Sequence, residues 1–95
     1  MQAVVREFSG KGAKELFEIL ETHTTDLQNL MRGIKGFVSY TLVRTSGGGY
    51  SITVCKDKAG IDESVKKAKD WIAKNAGETG AAEPKIVEGT VITYA

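Results

Sequence analysis

The chain has one cysteine, one histidine, one tryptophan and one proline among 95 residues. A single cysteine forbids an internal disulfide, so nothing requires an oxidising compartment, and a cytoplasmic setting is expected. One histidine, with no Cys-x-x-Cys, His-x-x-x-His or paired-carboxylate spacing, offers no metal site. Charge of one sign is missing too: 13 Lys and Arg against 12 Asp and Glu leave a net +1. That balance lacks the basic footprint that nucleic acid or an anionic membrane surface would select. No apolar run approaches the ~20 residues of a membrane span, and the first residues lack the charged and apolar regions of a secretion signal.

Glycine is what the chain has in plenty, 11 residues of it. All but Gly89 fall between patterned segments and punctuate them, since glycine reaches positive φ without a Cβ clash. Gly89 lies within a strand pattern, where it points to a bulge or a close backbone approach. Residues 2–8 (QAVVREF) form a short β-branched run and read as a first strand. Over 11–32, Leu16, Phe17, Leu20, Leu27, Leu30 and Met31 recur three and four apart, the stripe of one amphipathic helix. Gly33 follows at a position suited to a left-handed cap. Residues 37–45 (FVSYTLVRT) read as a second strand, 46–49 as a hairpin turn and 50–56 as a third strand. A second helix, capped by Asp57 or Asp62, carries Ile61, Val65, Ala68 and Ile72 and ends near 75–77. Pro84 precedes a fourth strand over 85–94.

This βαββαβ order makes one α+β domain over 1–95. Right-handed crossovers put both helices on one face of a four-stranded antiparallel sheet, the ferredoxin-like arrangement. The other sheet face is then bare. A sheet wetted on one side alternates cleanly between apolar and polar residues. Here large apolar groups occur on both sides: Phe37 and Val43 against Val38, Tyr40 and Leu42, and Ile86, Ile92 and Tyr94 against Val87 and Val91. Leaving several of them wet, at about 25 cal/mol per Å², takes a large share of a small domain's stability. A homodimer joined through sheet faces is therefore expected. The bland alternative is that these side chains reflect β-propensity alone.

Gly36-Phe37 opening a long second strand, the glycine hairpin, Lys56-Asp57-Lys58 and then Ala68-Lys69-Asp70-Trp71 together resemble the dimeric α+β barrel superfamily. More narrowly, they resemble antibiotic-biosynthesis-monooxygenase-like domains. The resemblance implies a ferredoxin-like protomer, a dimer and often a small cavity between sheet and helices. Its members include cofactor-independent oxygenases of aromatic polyketides, haem-degrading enzymes and proteins with no assigned activity. Trp71 matches the second-helix tryptophan that lines the pocket in several of those oxygenases. The haem-degrading branch uses an Asn on the first strand and a His soon after the tryptophan. This chain has Arg6 and Glu7 on that strand and no His beyond Trp71. An axial ligand is missing, and no cofactor is expected.

His23 lies on the apolar side of the first helix among Thr22, Thr24 and Thr25. It is the candidate catalytic base, or else a helix residue bonded to backbone and neighbouring threonine. Trp71 and Phe37 are candidate pocket walls, or plain core. Tyr40 and Arg44 share one strand face and could bind an anionic or phenolic ligand, or bond across a dimer. Cys55 has no partner base and reads as a small buried hydrophobe. Lys35-Gly36-Phe37-Val38-Ser39-Tyr40 faintly echoes an RNA-recognition motif, but with Val38 in the Gly/Ala place and on the wrong strand. Three readings stay open: a homodimer with a small apolar ligand pocket, a cofactor-independent monooxygenase acting on a small aromatic, and a non-catalytic interaction module.

Overall fold

Strand and helix periods alternate along the chain as their side chains dictate, and the computed structural model describes residues 1–95. The elements are β1 (Gln2–Phe8), α1 (Ala13–Thr22), α2 (Thr24–Arg32), β2 (Phe37–Thr45), β3 (Gly48–Cys55), α3 (Lys58–Asn75) and β4 (Lys85–Thr90), with a 3-10 turn at Gly77–Thr79. The strands form one antiparallel sheet in the order β2-β3-β1-β4. This is the ferredoxin-like α+β fold.

Cross-strand register sorts the side chains into two faces. Leu42, Ser51, Arg6 and Ile86 stand in one row beneath the helices, and Tyr40, Thr53, Val4 and Glu88 in the next. On the opposite face the central row is Thr41, Ile52, Val5 and Val87, beside Ser39, Val54, Ala3 and Gly89. A bulge between Phe37 and Ser39 adds one residue to β2. It shifts the alternation by one, so Phe37 joins Tyr40 and Leu42 on the helix side, where all three pack against the core.

The two core clusters lie on that side. One joins Phe8, Leu16, Phe17, Leu20 and Leu27; the other joins Val4, Met31, Ile34, Cys55, Ile61 and Ala68. Phe8 and Phe17 meet edge to face at 5.8 Å. Gly49 is required where it stands, because a Cβ there would overlap the Phe17 ring.

Four local expectations are corrected. The single helix over 11–32 is two helices broken at His23, because three threonines in that stretch weaken helical continuity and Thr22 turns its hydroxyl back to the Ile19 carbonyl. Gly33 is right-handed at φ −74°, and the left-handed glycine is Gly36 at φ +83°. The fourth strand ends at Thr90, and beyond it only the Val91 N–H still reaches across, donating to the Met1 carbonyl at 3.0 Å. Gly89 pairs regularly with Ala3, without bulge or close approach.

Candidate functional site

Two turns of α3, the 81–84 loop and the helix-facing sides of β1 and β4 line a half-open cavity of about 290 Å³. Its wall is mostly apolar: Phe8, Leu16, Val65, Ile72 and Ile86 line it, with Pro84 at the loop. Asp57 fixes the start of α3 by accepting a 3.0 Å bond from the Gly60 backbone N–H, which sets the helix over the sheet. Deeper in, a void of about 10 Å³ reaches Leu20, Leu27 and Tyr40 and shares Phe8, Ala68 and Ile72 with the larger space. A broader depression of about 520 Å³ beside the hairpin is open and polar, with Phe17 its one apolar wall, so it reads as solvated surface.

Arg6 lines both the cavity and the inner void, yet it is only 3% exposed. Its Nε donates to Ser51 Oγ at 2.8 Å and its Nη1 to the Ser64 carbonyl at 3.5 Å. Nη2 makes no hydrogen bond. It is not sealed off either, because Thr53 Oγ1 is the only fully enclosed side-chain polar atom without a partner. None of the four ion pairs in the protein includes Arg6. Burial lowers the pKa of the guanidinium, and its coupling to Tyr40 partly offsets this. Burial pushes the Tyr40 hydroxyl up, with Arg6 pulling the other way, so the phenol stays neutral.

The candidates read from the sequence divide into separate places. His23 and Trp71 meet edge to face at 5.5 Å, and Trp71 also packs against the Phe8 cluster. His23 Nδ1 lies 2.8 Å from the Ile19 carbonyl oxygen and 3.0 Å from Thr22 Oγ1. A carbonyl only accepts, so Nδ1 carries a proton, and in the neutral ring Nε2 holds the free lone pair. Neither ring lines the cavity beneath α3. Phe37 sits at the far end of the core with Met31, Ile34 and Cys55. Arg44 lies at the surface, 3.2 Å from Glu21. Tyr40 and Arg44 both point to the helix side, so neither bonds across the open sheet face. Only Tyr40 joins Arg6. Arg6 itself escaped the sequence reading, although a charge between Val4 and Phe8 on the inward side of a strand was its signal.

By sequence, no family model and no curated protein matches the chain. By structure, many solved proteins do. A protein of unknown function from Nitrosomonas europaea superposes with a TM-score of 0.70 at 13% identity, covering 99% of this chain and 90% of that one. The haem-degrader MhuD from Mycobacterium tuberculosis, with two haems in its active site, gives 0.68 at 14% identity, covering 100% and 99%. SnoaB, a cofactor-independent oxygenase from Streptomyces nogalater, gives 0.66 at 18% identity, covering 98% and 94%. The protein therefore has the fold of the antibiotic-biosynthesis-monooxygenase-like proteins. Haem does not fit this chain's own donors: no His, Cys, Met or Tyr lines the cavity, and the single imidazole is bonded to its own helix.

Proposed function

We propose that the protein is a homodimer whose protomers each take up one small, mainly apolar molecule beneath α3. The observation that carries this reading is the apolar cavity between α3, β1 and β4. At about 290 Å³ it lies near the roughly 300 Å³ lower bound of ligand pockets. The SnoaB and MhuD folds lend support, since one is an oxygenase and the other holds haem. Dimerisation is supported by the bare sheet face, where Ile52 and Val5 are half-buried at the centre and Val87 is exposed on the edge strand β4. The test uses the neutral fluorophore N-phenyl-1-naphthylamine on the full chain. Saturable binding at one site per protomer is expected, and Ala82→Trp, at the loop wall, should abolish it. Unsaturable binding, or binding that the tryptophan leaves unchanged, rejects the reading.

A second reading is the oxygenation of a small aromatic with His23 as base. The tautomer favours it: with Nδ1–H held by Ile19, the Nε2 lone pair is left to accept a substrate proton. Oxygen uptake across hydroxy-aromatics, wild type against His23→Ala, decides the point. Equal rates remove His23 from the chemistry.

A further inference from the structure

We propose that Arg6 is the anion anchor of this cavity, and that the ligand is a small apolar acid whose carboxylate reaches the free end of its guanidinium. The inference rests on the cavity being a ligand site and names what it selects.

A guanidinium stays charged at any physiological pH. Taking such a charge out of water costs several kcal/mol unless an opposite charge or a full set of hydrogen bonds compensates. Arg6 has neither. It is 3% exposed, it has no carboxylate within ion-pair distance, and its bonds go to one neutral hydroxyl and, at a long 3.5 Å, to one carbonyl. Tyr40, the nearest acidic group by electrostatic coupling, is held neutral by its own burial. The missing partner is therefore an anion that the chain does not supply.

Geometry says where that anion comes from. Arg6 stands on the central strand β1, in the row Leu42, Ser51, Arg6, Ile86, beneath α3. Ser51 holds Nε and Ser64 holds Nη1, which fixes the plane of the fork. Nη2 is left unbonded in a residue that lines the cavity. The remaining wall is almost wholly apolar, with Lys69 and Glu83 as its other charged members, both exposed. An apolar body with one carboxylate matches that distribution: the hydrocarbon meets Phe8, Leu16, Val65 and Ile72, and the carboxylate completes the planar fork. The small volume favours an acid of one or two rings.

The experiment measures 1-naphthoate against its neutral amide, 1-naphthamide, as competitors of N-phenyl-1-naphthylamine. The wild type should bind the acid about ten- to hundredfold more tightly than the amide, the range of a charge-assisted hydrogen bond. Arg6→Met should level the two while still binding the neutral fluorophore. Lys69→Met should keep the preference. In the wild type the Arg6 Nε–H resonance should shift with the acid and not with the amide, a readout that stands even where Arg6→Met does not fold. Equal affinity of acid and amide overturns the anion anchor and leaves the apolar site standing. A preference that survives Arg6→Met, or one that vanishes with Lys69→Met, overturns the assignment to Arg6. If neither competitor displaces the fluorophore at millimolar concentration, the proposal falls. If the fluorophore itself does not bind, the cavity reading falls with it.

Discussion

At the scale of single residues, the polar atoms under the helices carry the information. Thr53 is fully buried, and its hydroxyl has no partner. An unsatisfied buried hydroxyl costs about 1–3 kcal/mol. Thr53→Val keeps the shape and removes the cost, so it should stabilise the fold by about 1 kcal/mol. For a domain of this size that is a rise in melting temperature of about 4–8 °C; no rise would mean that the hydroxyl is satisfied in solution. Cys55 is the complementary case. It is 0% exposed, and burial, followed by the charges of Asp57 and Glu63, pushes its thiol up. A thiol raised in the folded state binds its proton more tightly there than when unfolded. Its stabilising contribution is therefore whole below the ordinary thiol range of about 8.5 and is lost as pH rises through the raised value. Native protein at neutral pH should react with a thiol reagent only as fast as it opens, and Cys55→Ala should flatten the alkaline fall in stability. Rapid stoichiometric labelling of the native state would contradict the buried placement.

At the scale of elements, the caps and turns decide how far the sequence could be read. Strand and helix order, the Asp57 cap and the glycine hairpin were legible because each rests on a local pattern: two-residue alternation, a three-and-four stripe, a capping aspartate. Asp57→Ala should cost about 1 kcal/mol in urea unfolding, as expected when a cap is lost. An unchanged midpoint would mean that the Asp57 cap contributes nothing to stability. The helix break at His23, the bulge at Val38 and the end of β4 were not legible, because partners distant in sequence decide them. The bulge alone moves Phe37 to the inner face. The site suffered most. His23, Trp71, Phe37, Tyr40 and Arg44 were chosen for chemical type, whereas the signal for Arg6 was its place in the inward alternation between Val4 and Phe8, and the cavity it lines takes tertiary packing to see. Gly49 belongs to this scale as well. Its missing Cβ lets Phe17 of α1 lie against β3. Gly49→Ala should cost about 1–3 kcal/mol through overpacking, and a neutral result would mean that the helix can shift.

At the scale of the whole molecule, the core clusters are one-sided. All the helices cover one sheet face. The other presents Val5 and Ile52 at its centre, with Val87 56% and Val43 42% exposed at its edges. Burying a valine or isoleucine from water contributes up to about 1.5–3 kcal/mol, so a face of this kind calls for a cover. A second copy offers the same face by two-fold symmetry. Ile52 stands mid-sheet and outward, so Ile52→Lys should leave the protomer folded and shift it to monomer. A dimer that persists would place the contact elsewhere. The most direct test of a homodimer with one small-molecule site per protomer is native mass spectrometry of the full chain purified from its own host. The account predicts a species of twice the 10.2 kDa chain mass carrying one small organic molecule per protomer. A bare 10.2 kDa monomer at micromolar concentration would contradict it.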